Sequence, residues 1–249
     1  YRVTSGMLSV ELARMIHPSM DDALDHVPAI AGLADRSKAT AMEQYLDLAA
    51  EAGYDEGHLD DVVSALDYAA YMLRYDAGGA FVTDILGIDD PAGRNDDLVA
   101  LLAGRSRADT DHQLAGAEDH VTHERLANGA HLYRIDLEEF AHRFTYPPPG
   151  KTTGELHDRK VEATGEPVIT VGYGPDFAVL RSDGVRLDIP EMVADLNEEL
   201  PGAGVSGGGH LVVGSLRFVS GMREPVISSL VERMADAELD EALSSSAGQ

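Results

Sequence analysis

Cysteine is absent and lysine nearly so, with only Lys38, Lys151 and Lys160 in 249 residues. The lack of cysteine excludes disulfides and thiolate metal sites, so the default compartment is the cytoplasm. No apolar run approaches the roughly 20 residues that a membrane span needs, and no signal-peptide pattern opens the chain, so no membrane partner is expected. The first residue is Tyr1 rather than Met, and the start reads as a cut.

What is abundant is negative charge. Asp and Glu number 44 against 19 Lys and Arg, for a formal net charge of −25. A phosphate-binding surface is normally basic, so the balance on its face disfavours nucleic acid. Yet the acids are spread along the whole chain rather than gathered in a tail. A diffuse acidic coat with almost no lysine fits a protein of an extreme halophile. Molar salt shortens the screening length to about 3 Å at 1 M and removes the self-repulsion. On that reading the net charge says little about the ligand.

Hydrophobic residues make up 44% of the chain, enough to bury a core. Residues 1–104 show helical periodicity. Leu8, Leu12, Met15 and Ile16 form one apolar stripe that Pro18 ends. Thr40 with Glu43 predicts a capping box, with Met42, Tyr45, Leu46 and Ala49 facing inward and Gly53 closing the helix. Leu59, Val62, Val63, Leu66, Ala70 and Leu73 continue the period, and Gly78-Gly79 and Asp89-Asp90-Pro91 break it. Residues 105–128 are polar and predict a connecting helix, with the domain boundary inside it.

From 129 to 249 the period changes to that of a small α/β domain with a mixed sheet of four or five strands. Strands are expected at 131–135, 168–171 and 211–218, and a hairpin at 177–187 around Asp183-Gly184. Pro147-Pro148-Pro149-Gly150 predicts a stiff loop before a helix over 153–164. Asp188 caps a helix with Pro190 in its first turn. Val226, Ile227, Leu230, Val231 and Met234 share one helical face, and the tail from Ser244 is expected to fray.

Gly207-Gly208-Gly209-His210 is the sharpest local feature. Three glycines let a loop bring backbone N–H groups close to an anion, with a histidine beside them to hydrogen-bond a phosphate. Other motifs read as ordinary surface. Asp109-Thr110-Asp111-His112 sits in the polar linker and predicts a solvated helix face. His120 and His123 have helical i, i+3 spacing without a third zinc ligand. Gly150-Lys151-Thr152 lacks the upstream glycine and strand of a phosphate-binding loop, since position 145 is Thr.

The order Gly154, Arg159, a strand from Pro167, Arg181-Ser182 and then Gly207-Gly208-Gly209-His210 resembles the DHH-associated domain of RecJ-like exonucleases. Ser5-Gly6 followed by Ala31-Gly32-Leu33-Ala34-Asp35-Arg36-Ser37 is similar to the end of a DHH catalytic domain. The resemblance implies a helical remnant of an α/β catalytic domain over 1–104 and a nucleic-acid-binding domain over 129–249. It implies that Arg181, Ser182, Gly207, Gly208, Gly209 and His210 bind substrate. It also implies that Asp35 is one ligand of a two-metal Mn²⁺ or Mg²⁺ site. Carboxylate oxygens suit these ions, and two metals activate water and stabilise the leaving oxygen of a phosphodiester. The chain departs from the family in having no Asp-His-His triplet and no Asp-x-Asp on an apolar strand. The remaining ligands are therefore expected upstream, and no complete catalytic site is expected in this chain.

The implied activity is hydrolysis of single-stranded DNA or RNA from one end. Alternatives are an oligonucleotide or nucleotide phosphatase of the same family, or a non-catalytic nucleic-acid-binding subunit of a replication complex. Partners would be the nucleic acid strand and replication or repair proteins.

Overall fold

The computed structural model describes residues 3–20, 22–37, 39–73, 78–88, 95–141 and 145–243. The expected break at Asp89-Asp90-Pro91, Lys38 and the tail from Ser244 lie outside them. The chain divides into two compact units after Asp109.

The first unit is helical: α1 (Ser5–Ile16), α2 (Val27–Ala34), α3 (Ala41–Glu51), α4 (Glu56–Leu73), α5 (Gly78–Leu86) and the start of α6 (Asp96–Ala117). Its core joins Ala29 and Ile30 of α2 to Ala49 of α3, to Leu59, Val62, Ala65 and Ala69 of α4, and to Ile85 and Val99. The apolar stripe expected to bury α1 does not do so. Leu8, Leu12, Met15 and Ile16 are all exposed, and Thr4, Met7 and Val10 are buried instead. Glycine decides which face turns inward. A Cβ on Gly6 would sit 2.7 Å from Ala31 Cβ, and one on Gly32 would sit 2.4 Å from Met7 Cε. The absence of a side chain at Gly6 of α1 and at Gly32 of α2 lets the two helices approach this closely.

The expected capping box at Thr40 is not formed. Thr40 already has helical φ and ψ and makes no side-chain cap bond, so its hydroxyl is not placed as an N-cap requires. A capping box forms instead at Thr4, whose hydroxyl accepts from Met7 N at 3.2 Å while Met7 Sδ accepts from Thr4 N. Gly53 closes α3 in the left-handed region, with φ 87°.

The second unit is an α/β layer around a mixed six-stranded sheet in the order β1-β2-β3-β4-β6-β5. The strands are β1 (Thr122–Arg125), β2 (His131–Asp136), β3 (Val168–Tyr173), β4 (Phe177–Asp183), β5 (Ser206–His210) and β6 (Val213–Arg217). β2 and β3 are parallel, and the other pairs are antiparallel. The helices are α7 (Pro149–Thr164), α8 (Ile189–Glu199) and α9 (Arg223–Asp236). One face carries the main core, where Leu132, Ile169, Val171, Leu180 and Leu216 meet Ile189, Met192 and Leu196 of α8 and Val226, Leu230 and Met234 of α9. On the other face Ile135, Leu137 and Leu156 of α7 pack with Leu114 and Ala117 of α6.

The sheet has six strands rather than four or five, and the two that the sequence did not indicate, β1 and β5, lie at its edges. β1 falls inside the stretch read as a linker helix, because all four of its residues are exposed and show no apolar alternation. β5 is the glycine run read as a loop, and glycine carries no side-chain period to detect. The expected hairpin around Gly184 is also replaced. β4 pairs with β6, and Val185 bridges to Leu239, so the chain leaves the sheet at Gly184 (φ 70°) and buries Val185 and Leu187 in the core. Helix α7 starts at Pro149, within the segment read as a stiff loop, because proline needs no N–H partner in a first turn. Asp188 does cap α8, accepting from Glu191 N at 3.1 Å, with Pro190 in the first turn.

Candidate nucleic-acid interface

β4, β6 and β5 lie side by side at one end of the sheet, and their register determines which side chains share a face. Arg181 stands opposite Val213, and Val213 opposite His210. The next row on that face is Val179, Ser215 and Gly208, and the last is Phe177, Arg217 and Ser206. Successive strand residues alternate sides, so these three rows project together. The rows between them, Leu180-Gly214-Gly209 and Ala178-Leu216-Gly207, point to the opposite face, where Leu180, Ala178 and Leu216 enter the main core.

Helix α7 covers the middle of this face and stops short of its edge. Thr153 Oγ1 and Leu137 occupy the space where Gly172 would carry a Cβ. His157 Nδ1 lies 3.0 Å from the Thr170 hydroxyl, and Thr170 is the cross-strand neighbour of Arg181. The guanidinium of Arg181 rests over Gly154 of α7, with Nη2 3.8 Å from where a Cβ would be. Arg181 is thus half-buried and braced at the rim, while Ser215, Arg217 and all of β5 are exposed. Arg217 pairs with no carboxylate among the described residues, although the chain carries more than two acids for every base.

The three glycines have different causes. A Cβ on Gly207 would sit 2.2 Å from Ser215 O, and one on Gly209 would sit 2.2 Å from Val213 O. Both positions therefore admit only glycine unless the backbone moves. Gly208 meets nothing within 4 Å and has no left-handed φ. The entry to β5 is held by Asn197 of α8, whose amide donates to Val205 O at 2.7 Å and accepts from Val205 N at 2.9 Å. β5 is an edge strand, so one side of its backbone has no strand partner.

Ser182 does not join Arg181. Being the next residue, it points to the other face, where it is buried and donates to Val185 O at 2.9 Å. Asp35 is the exposed C-cap of α2. Among the described residues no three His, Asp or Glu side chains come together as a metal-holding group. The described residues alone therefore do not make up a two-metal centre.

The decoy motifs have local partners. Asp109 accepts from the Tyr68 hydroxyl at 3.3 Å, and Asp111 pairs with Arg159 of α7. Lys151 lies 3.7 Å from Glu155, and the Thr152 hydroxyl accepts from Gln113 at 2.6 Å. His120 and His123 do not share a helix. His120 meets the Phe140 ring at a tilt, and His123 stands on β1 with Nε2 2.9 Å from His131 Nδ1. His131 Nε2 lies 2.9 Å from Glu166, which Arg125 also meets at 2.8 Å. The hydrogen bond from His131, followed by the Arg125 charge, holds the exposed Glu166 carboxyl below its ordinary range.

Arg217 and Ser215 carry no sequence motif. They are found only by counting alternate residues along β6 from Val213, which requires knowing that β6 separates β4 from β5.

No family model matches the chain. It is 37% identical over 250 residues to an uncharacterised protein of Methanocaldococcus jannaschii, over 92% of this chain and 33% of that one. Among solved structures, the DHH domain of a member of a family of ribosomal proteins superposes with a TM-score of 0.87 at 36% identity, over 95% of this chain and 55% of that one. RecJ from Thermus thermophilus in complex with Mg²⁺ superposes with a TM-score of 0.51 at 16% identity, over 88% of this chain and 35% of that one. The chain thus spans about a third of the archaeal relative and about half of the DHH-domain structure.

Proposed function

We propose, from the RecJ-like DHH fold that this chain has, that it is the substrate-gripping part of a phosphodiesterase acting on single-stranded DNA or RNA. In the proposed role Arg181 and His210 hold one backbone phosphate, and the Gly207-Gly208-Gly209 strand lies alongside it. The observation that carries this reading is the row Arg181-Val213-His210 at the edge of the sheet face, beyond the part that α7 covers.

Arginine recognises a phosphate through two parallel N–H bonds. A guanidinium already braced on Gly154 has less side-chain freedom to lose on binding. The open edge of β5 adds backbone N–H groups, and sheet edges of this kind suit anions. Ser182 supports Arg181 by holding the strand end through Val185 rather than by touching the ligand. Asp35 would be one ligand of a Mn²⁺ or Mg²⁺ centre, its partners coming from outside the described residues. We assign the enzyme to a cytoplasm of high salt and to replication or repair. Among the described residues no helix is long and apolar enough to cross a membrane.

The test is fluorescence anisotropy of a labelled single-stranded oligonucleotide with this chain in molar salt. Binding that Arg181→Ala weakens supports the reading. Equal binding by parent and variant rejects it.

A further inference from the structure

Resting on that reading, we propose that Arg217 forms a second phosphate subsite, with Gly208 and Ser215 as a bare floor between it and the Arg181–His210 subsite. The substrate class is then an oligonucleotide strand laid along β5 and β6, rather than a mononucleotide.

Three observations carry this. Arg217 projects from the same face as Arg181, because both belong to alternate rows of one register. It is exposed and pairs with no carboxylate among the described residues. In a chain with 44 acids, an exposed arginine that no carboxylate pairs with keeps its charge available to a ligand. The strip of sheet beside it supplies the third observation. Between the two arginine rows the exposed positions are Gly208 and Ser215, and Ser206 flanks Arg217, so the strip carries no side chain longer than serine. Gly208 has neither a close neighbour nor a left-handed backbone to require glycine. In a strand glycine costs about 0.5–1 kcal/mol relative to alanine. Among the described residues no contact requires glycine there, so the missing side chain leaves room for something outside the protein.

The spacing sets the length of the ligand. Val213 and Arg217 are four residues apart on β6. At a rise of about 3.3 Å per residue, the rows lie about 13 Å apart. One phosphate group cannot reach both rows, and a single nucleotide lies against Arg181 and His210 alone. A longer strand crosses the floor and meets Arg217.

The experiment compares a nucleoside monophosphate with a single strand of about 12 nucleotides, a length typical of single-strand sites, by competition anisotropy. The proteins are the parent chain, Arg181→Ala, Arg217→Ala and Arg217→Lys. Arg217→Ala is expected to weaken the long strand about fivefold and to leave the monophosphate unchanged. It should also reduce the salt slope for the long strand by about 0.7, the value for one lost phosphate contact. Arg217→Lys should restore most of both. Arg181→Ala should weaken both ligands.

An unchanged long-strand affinity and salt slope in Arg217→Ala, while Arg181→Ala still weakens binding, overturns the second subsite alone. A full effect of Arg217→Ala on the monophosphate also overturns it, since the two arginines would then share one phosphate. No effect of Arg181→Ala on either ligand rejects the nucleic-acid reading itself. Arg217 is exposed, and an unchanged thermal melt shows that its variants fold.

Discussion

Arg181 on β4 and His210 on β5 are both cross-strand partners of Val213, so a strand that separates them in space also aligns them on one face of the sheet. They are 29 positions apart in the chain, and no local periodicity relates them. The β4-β6-β5 order brings them together, and the consequences are measurable.

Arg181→Ala should weaken single-strand binding by about 1.5–3 kcal/mol, or roughly ten- to a hundredfold, the worth of a hydrogen bond to a charged group. Arg181→Lys should recover only part of this, because an ammonium keeps the charge but loses the planar fork. Anisotropy titrations in high salt read both. Full recovery by lysine would mean that the guanidinium geometry is not used.

The glycines of β5 should separate stability from binding. Gly209→Ala places a Cβ against Val213 O and Gly214 Cα, and overpacking of this kind costs about 1–3 kcal/mol. Each kcal/mol corresponds to a fall of about 2–4 °C in Tm for a chain of this size. Gly208→Ala meets nothing and should keep or slightly raise the melting temperature. Gly208→Val should weaken oligonucleotide binding while its melt stays that of the parent. A collapse of the Gly208→Val melt would show that glycine is needed there for the fold.

Salt should stabilise the chain. At a net charge of −25, unscreened repulsion falls on the compact state, and screening removes it. Exposed ion pairs such as Arg107–Asp61 and Arg125–Glu166 are each worth at most about 1 kcal/mol. Thermal melts from about 50 mM to about 3 M KCl should show a rising Tm across a range in which the Debye length falls severalfold. A flat or falling trend would discard the high-salt assignment.

Glu166 predicts a small acid dependence. Its carboxyl is held below the ordinary range by the hydrogen bond from His131 and by Arg125. A depressed folded-state pKa gives stability that is present above the unfolded value and is lost as pH falls through the folded one. Parent and Glu166→Gln should therefore differ most near neutral pH, with the parent melting higher, and converge in acid. Because Glu166 is exposed, molar salt should shrink the difference. Melts of the two proteins across pH at low and high salt would show this. A gap that widens in acid would contradict it.

Much of the fold was legible in periodicity. The inner face of α9 follows from Val226, Ile227, Leu230 and Met234 at helical spacing, because burial selects one side of that helix, and β3 follows from a short apolar run that is buried on both faces. Asp188 with Pro190 was readable as a helix start because capping is local. The positions of Arg181 and His210 in the chain, and the presence of three glycines, were likewise on the surface of the sequence.

Tertiary structure decided the rest, wherever two local readings were equally good or no side chain carried a signal. Helix α1 has two faces that accept burial, and the close approach of Gly6 to Ala31 selects the Met7 face over the Leu8 stripe. β5 has no side-chain pattern, so the sheet rather than the sequence turns a glycine run into a strand and makes Gly207 and Gly209 obligatory while leaving Gly208 open. Strand alternation sends Ser182 to the opposite face from Arg181, although the two are neighbours in the chain. Arg217 becomes part of the exposed face only because β6 inserts between β4 and β5. Strand order is a long-range pairing choice, and no window of sequence contains it.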